Sequence, residues 1–488
     1  MIMNLLILLP IILSIVCAFI VFAFSNKRRN IKNVVIISLI ALVFASCLLN
    51  CFVGDMTLTI INITPSVAVT FKNDNLSKFF SVAISFVFLL VTIYTTEYIK
   101  HEKDENRFYV FFFTTLAMLI ALTYSHNIMT MYVCFEFITL LSMPLVLHSL
   151  TKESVRAAKK YLYYSMGGAF LALFGMFYLF SYGGNLDFST YGGHEIFKDG
   201  NFTENKILFH IAVLTLIVGF SAKGGMFPLH GWLPTAHPVA PSPASAVLSG
   251  IITKAGVICV IRIVYFVVGP DFIRNTFVQY TWLSLATFTV FMGSLLAMYE
   301  KGFKKRLAFS SVSQVSYVLV GLAFLNDATF IGALIHVAAH MLIKVCLFLF
   351  AGEVIYKHGY HRVEELRGIG QKMPYSTWVF TFASLGLIGI PLTLGFVSKW
   401  NLATGAVNSG VSMFNFLVPA VLLASAILTA GYLLPITLNG FFVKDEKYEK
   451  NECSKKMYIP MLILAGLVVI LGVYSQPLVD LITTIVGK

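Results

Sequence analysis

The chain has 488 residues, of which 58% are hydrophobic and 12% charged, with a mean hydropathy of +0.83 and a net charge of +12. Soluble domains carry about 25% charged residues, so this composition excludes a string of soluble domains and places the chain in the membrane class. Seven cysteines are scattered without a CxxC pair, and most sit inside apolar runs, where they read as small apolar fillers.

A hydrocarbon core of ~30 Å is crossed by about 20 apolar residues, and runs of that length recur from end to end. Fourteen spans are expected, over 3–24, 33–53, 78–99, 108–125, 127–149, 158–182, 207–227, 241–268, 279–299, 307–325, 328–355, 374–406, 412–441 and 457–486. The first has no basic residue before it and no cleavage pattern after it, so it reads as a retained helix. The connections alternate in charge. Twenty-four of the 35 Lys and Arg lie on one set of loops, in clusters beginning at Lys27, Lys100, Lys152, Lys301, Lys357 and Lys444. Six lie on the other set: Lys72, Lys78, Lys198, Lys206, Arg274 and Lys488. The positive-inside bias then puts both termini, and the long loops 55–77 and 183–206, outside a plasma membrane. Cytoplasmic loops account for the net charge, and no nucleic-acid partner is implied.

Five basic residues remain inside apolar runs: Lys223, Lys254, Arg262, Lys344 and Lys399. Each costs about 2.5–3.5 kcal/mol near a helix centre, so each needs a partner or a task. In chain order, the first buried charge is Glu136, about nine residues into the fifth span and so near mid-membrane. There a carboxylate is protonated, faces water or meets a cation; a fixed structural ion pair is the competing reading. Lys223 closes the seventh span just before Gly224, Gly225 and Pro228, which interrupt regular helix and free backbone groups where the charge sits. Snorkelling to the nearby interface competes here. Lys254, about twelve residues into the eighth span, is too deep to snorkel and can hold or release a proton as neighbouring charges move. Arg262 titrates too high for a relay and is expected to pair or snorkel.

His336, His340 and Lys344 fall at i, i+4 and i+8, one polar stripe on the eleventh span and a path for protons. The same spacing suits a metal pair, but no third ligand lies in that stretch, so no metal is assigned. Lys399 follows Pro391 and Gly395 in the twelfth span, a second break beside a second lysine. Spans seven and twelve run in opposite directions five positions apart, which suggests two inverted five-helix repeats. The expected organisation is spans 1–3 over 1–107, a first repeat over 108–268, a second over 279–441, and a loop and last helix over 442–488.

These residues sit in motifs that resemble the antiporter-like subunits shared by respiratory complex I, Mrp-type sodium/proton antiporters and membrane-bound hydrogenases. The clearest stretch is Lys223-Gly-Gly-Met-Phe-Pro-Leu-His-Gly-Trp-Leu-Pro-Thr-Ala-His-Pro-Val-Ala-Pro241, followed by Lys254-Ala-Gly. Asp74-Asn-Leu-Ser77, Phe135-Glu136, Arg306-Leu-Ala-Phe-Ser-Ser-Val-Ser313, the helix-eleven stripe and Gly395-Phe-Val-Ser-Lys399 support it. The resemblance implies an all-α membrane fold of fourteen helices, with inverted repeats over helices 4–8 and 9–13. It also implies a polar axis through Glu136, Lys223, Lys254, Lys344 and Lys399, with the helix-five carboxylate pairing the broken-helix lysine. Phe135, Thr235 and Gln314 depart from the Trp, acid and His usual at those positions. Lys399 in place of a glutamate points to the side of the family that includes the D-type Mrp antiporter subunits.

The implied function is translocation of H+, with Na+ as a second ion, by one subunit of a multi-subunit membrane complex. The alternatives are a pump module of a hydrogenase or complex I-like oxidoreductase, and a non-conducting scaffold. The chain carries no dinucleotide fingerprint, P-loop, haem motif or iron–sulfur cysteine set, so no cofactor is expected and redox chemistry falls to partner subunits. The loop asymmetry gives a first prediction. Reporters fused after Ser25 or Lys444 read cytoplasmic and one at Asn201 reads external; reversal at two of these sites contradicts the topology.

Overall fold

Side-chain caps and glycines set the helix boundaries in the computed structural model, which describes residues 3–23, 29–64, 67–183, 187–194, 205–443 and 450–487. The helices are α1 (Leu9–Ala23), α2 (Arg29–Phe52), α3 (Asn75–Tyr98), α4 (Glu105–Tyr124), α5 (Ile128–Val146) and α6 (Lys152–Gly183). The seventh is interrupted, α7a (Lys206–Gly224) and α7b (Leu233–Val239), and α8 runs over Ser242–Val268. There follow α9 (Phe277–Tyr299), α10 (Phe303–Ala323), α11 (Asp327–His358), the interrupted α12a (Pro374–Ile388) and α12b (Leu394–Val407), α13 (Phe414–Phe442), α14 (Lys455–Val473) and α15 (Gln476–Thr483). Asp74 caps α3 in a capping box with Ser77, Asn127 caps α5 through Thr130 N (2.8 Å), and Asn326 caps α11 through Thr329 N (2.9 Å).

Among the described residues, twelve helices are long and apolar enough to cross a membrane. Two expected spans fall short as single helices: α1 has 15 residues, and the twelfth is split into pieces of 15 and 14. Three other expectations need correction. The stretch 55–77 is not a plain loop, because Met56–Thr64 and Val67–Asn73 form an antiparallel hairpin, β1 and β2. The last span ends at Val473 rather than running to 486, because the Gln476-Pro477 start of α15 begins a new helix. Lys32 and Lys304, counted with the loops, are buried. Lys32 shares Glu105 with Arg29 (3.2 and 2.6 Å), and Lys304 donates to Ala240 O (2.9 Å). Lys27, Arg28, Lys198, Lys444, Lys447 and Lys488 lie outside the described residues, as do Ser25 and Asn201.

Both interruptions are built by a glycine in the left-handed region, Gly225 (φ 79°) after α7a and Gly389 (φ 88°) after α12a. Gly395 lets the two halves of the twelfth helix meet, since a Cβ there would stand 1.9 Å from Gly386 O. α8 is packed on every side and contains two π-helical stretches, Leu248–Ile252 and Val264–Val268. Segment 187–194 closes the second, with Ser189 N, Gly192 N and His194 N donating to Phe266 O, Tyr265 O and Val267 O at 2.9–3.0 Å.

Arg262 does pair. Its guanidinium forks onto Asp74 at 2.6 and 2.9 Å, tying the C-terminal half of α8 to the cap of α3, and lies on the Phe188 and Phe266 rings. Burial pushes the Asp74 carboxyl up, but Arg262 and the Ser77 N–H more than offset this and hold it below its ordinary 3.8. A carboxyl depressed in this way stabilises the fold fully above its unfolded value and loses that contribution as pH falls through the folded one. Removing one partner strands a buried charge, so Arg262→Met costs about 3–5 kcal/mol. Thermal unfolding of the detergent-solubilised protein should show this loss at pH 7, with Asp74→Asn restoring part of it in the double variant; single and double variants as stable as the parent would contradict the pair's role.

Candidate functional site

The fully buried Lys254 and Lys344 and the half-buried Lys399 come together with the histidine stripe, and each donates its hydrogen bonds to groups other than carboxylates. Lys254 Nζ donates to Ser249 O (3.1 Å) and Thr253 Oγ1 (3.3 Å) and meets His340 Nδ1 at 2.5 Å. Ser249 belongs to the first π stretch of α8, and its carbonyl accepts both from the lysine and from the Thr253 hydroxyl (2.7 Å). The contact with His340 holds one proton between two nitrogens. Either the ammonium donates to a neutral ring, or Nδ1–H donates to a neutral amine.

From His340 the stripe continues toward the start of α11. The His336 ring lies 6.3 Å from that of His340, stacks on Tyr317 of α10 (5.3 Å), and shares a 2.9 Å hydrogen bond from Nδ1 to Ser398 Oγ. The next residue is Lys399, whose ammonium donates to Leu387 O (2.6 Å) and Ile388 O (2.9 Å) and lies 5.0 Å above the Tyr317 ring. These are terminal carbonyls of α12a, the negative end of a helix dipole, so Pro391 and the break create the acceptor for the lysine. One turn past His340 along α11, Lys344 Nζ bonds Leu307 O (3.1 Å) and Ser310 Oγ.

Ser310, Gln314 and Tyr317 form a stripe on α10, and their order opposes Lys344, His340 and His336 on α11. Gln314 is fully buried with neither amide atom bonded among the described residues, and His336 Nε2 and His340 Nε2 are likewise unpartnered there. Polar groups of this kind are normally met by water or ions.

Lys223 stands apart. Its ammonium bonds Thr139 Oγ1 of α5 and Tyr161 OH of α6 (3.1 Å) and lies over the Phe135 and Tyr161 rings at 5.2 and 5.0 Å. Gly224 and Gly225 end α7a beside it. Trp232 Nε1, beyond the turn through Pro228, takes up Ala222 O (2.9 Å), so an indole serves in this break where Lys399 serves in the other. Glu136, one turn before Thr139 on α5, makes no ion pair with Lys223 among the described residues, and its buried Oε1 has no partner. The direct pair that the resemblance implies is therefore open in this structure. Lys223 connects to the rest through backbone packing, because a Cβ on Gly256 would lie 3.1 Å from Lys223 Cβ.

The lysines, both histidines, Glu136 and both breaks are where the sequence pointed. Their partners Thr139, Tyr161, Ser310, Tyr317 and Ser398 were missed. Only the α10 stripe carried a signal, a helical spacing of polar residues in an otherwise apolar span. No group of three His, Cys, Asp or Glu able to hold a metal occurs among the described residues.

The profile of the family described as NADH:quinone oxidoreductase/Mrp antiporter, transmembrane, matches residues 125–429, and one described as the N-terminus of complex I chain 5 matches 61–109. The N subunit of NADH-quinone oxidoreductase from Desulforudis audaxviator is 30% identical over 82% of this chain and 81% of its own length. The D subunit of the Na(+)/H(+) antiporter from Alkalihalophilus pseudofirmus is 27% identical over 98% and 95%. In fold, the chain is similar to one in the Mrp complex from Dietzia sp., with a TM-score of 0.86 at 19% identity over 99% of this chain and 97% of that one. The interrupted helices, the buried lysine line and these matches together make this multi-pass membrane protein a member of the NADH:quinone oxidoreductase/Mrp antiporter membrane-subunit family.

Proposed function

We propose that this chain is the proton-translocating subunit of a multi-subunit plasma-membrane complex of the Mrp type, moving H+ in exchange for Na+. The single observation that carries the reading is the 2.5 Å contact between Lys254 and His340, fully buried and shared between α8 and α11. Relatives with antiporter and oxidoreductase names support the family-level activity, and the Na(+)/H(+) antiporter relative matches this chain almost end to end. The higher identity to the NADH-quinone oxidoreductase relative favours a second reading, a pump module driven by electron transfer in partner subunits. Neighbouring chains in the purified complex separate the two: small antiporter subunits support the first, iron–sulfur or hydrogenase subunits the second.

In this reading Glu136 and Lys223 form one arm, Lys254 with the His340–His336 stripe the centre, and Lys399 the other arm. The residue blocks 108–268 and 279–441 act as inverted repeats, each with one interrupted helix, and both termini face outward. A positive charge on the Glu136 side raises the cost of a proton on Lys254 and drives it toward His340; withdrawal of that charge refills the lysine. Moving one charge across 100 mV costs about 2.3 kcal/mol, so neighbouring charges must change proton affinity at Lys254 by a comparable amount. Arginine keeps the charge and stays protonated. Lys254→Arg should therefore assemble at normal levels and lose at least ~10-fold in proton or sodium transport, read with a pH dye in vesicles. Full transport by this variant would reduce position 254 to a fixed positive potential.

A further inference from the structure

Toward the end of the bundle that carries the basic loops, one titratable side chain has no part in the line above. His237, in α7b, is fully buried, its ring lies on Phe348 of α11 at 4.6 Å, and neither ring nitrogen has a hydrogen-bond partner among the described residues. Phe348 is four residues beyond Lys344, so the imidazole sits about one helical turn from that lysine's level on α11. Across from it, Lys304 of α10 bonds Ala240 O, three residues past His237. Lys304 is also one turn before Leu307, the carbonyl that holds Lys344. The ring thus lies between two lysines on two helices, and both ammonium charges act on it; no carboxylate does. Lys304 is in turn within range of Glu102, a half-buried carboxylate in the loop after α3. Burial raises the Glu102 carboxyl above its ordinary range, against the pull of Lys304 and His101.

A buried donor and acceptor left unbonded are costly, so packing alone favours an apolar ring at this position. We infer that His237 is the relay that loads the lysine line from the side of the basic loops, passing protons from the Glu102–Lys304 surface to Lys344. This inference rests on the proposed role of that line. A proton leaves the Glu102 carboxyl or a water beside it and bonds to one ring nitrogen. The proton on the other nitrogen then leaves for the neutral amine of Lys344. The ring ends neutral as the opposite tautomer and is reset by a half-turn about Cβ–Cγ.

The test uses the assembled complex in everted vesicles and measures initial transport rates while pH is varied on the basic-loop side alone. His237→Gln should assemble, fall at least ~10-fold in rate and lose its dependence on that pH, and His237→Ala should recover part of the rate with added imidazole. Glu102→Gln, a change near the surface, should shift the same profile and keeps the test open if the histidine variants fail to assemble. A parental rate and profile in His237→Gln beside an inactive Lys254→Arg removes His237 and leaves the line standing. Slow transport with an unchanged profile and no imidazole rescue reduces His237 to packing. Parental behaviour in both His237→Gln and Lys254→Arg overturns the line itself.

Discussion

The constraint on which this molecule depends is the cost of an ammonium group in hydrocarbon. A lysine near the centre of a span costs about 2.5–3.5 kcal/mol, and the usual remedy is a carboxylate. Here Lys223, Lys254 and Lys344 are buried and Lys399 half-buried, and no carboxylate lies within ion-pair distance of any of them among the described residues. Two buried cations do have a counter-ion, Lys32 on Glu105 and Arg262 on Asp74; Arg262 lies toward the C-terminal end of α8, away from the line. Charges locked in pairs hold the frame. Charges held only by neutral acceptors are free to gain or lose a proton.

The neutral acceptors come largely from irregular helix. Ser249 O, in a π stretch of α8, accepts from Lys254 as well as Thr253, and the interruption of the twelfth helix exposes Leu387 O and Ile388 O for Lys399. Such departures are tolerated in a membrane only where protein or water satisfies the backbone, and here the lysines themselves do so. Each stabilises the other: the break lowers the cost of the charge, and the charge satisfies the break. The hydroxyls of Thr139, Tyr161, Ser310 and Ser398 complete the shells without fixing a protonation state, since a hydroxyl both donates and accepts.

How much of this is legible in the sequence follows from what carries a cost. Lys254 and Lys344 stand out because a lysine inside an apolar run is expensive, and Gly224-Gly225 with Pro228, or Pro391 with Gly395, announce a break wherever the chain is otherwise helical. Thr139 does not stand out, because a Thr hydroxyl in a membrane helix bonds its own backbone at little cost, and Tyr161 does not, because its ring suits an apolar span. Lys304 and Lys32 were hidden by neighbouring basic residues that belong to real loops. The hairpin of β1 and β2 was visible as alternation from Met56 to Phe71 but was overridden by the reading of that stretch as a loop between spans. Arg262 left pairing and snorkelling open, because its partner Asp74 is 188 residues away and only the folded chain brings them together.

In the proposed function the Lys254–His340 contact joins α8 to α11 on the proton line, and the most direct test is a transport double-mutant cycle with Lys254→Arg and His340→Phe in the assembled complex. Residues that share one proton act as a unit, so their effects are not additive. If the contact is the joint, the double variant transports no more slowly than the slower single variant. Independent, multiplying losses would mean that the two residues serve separate paths, and the line through the membrane centre would have to be redrawn.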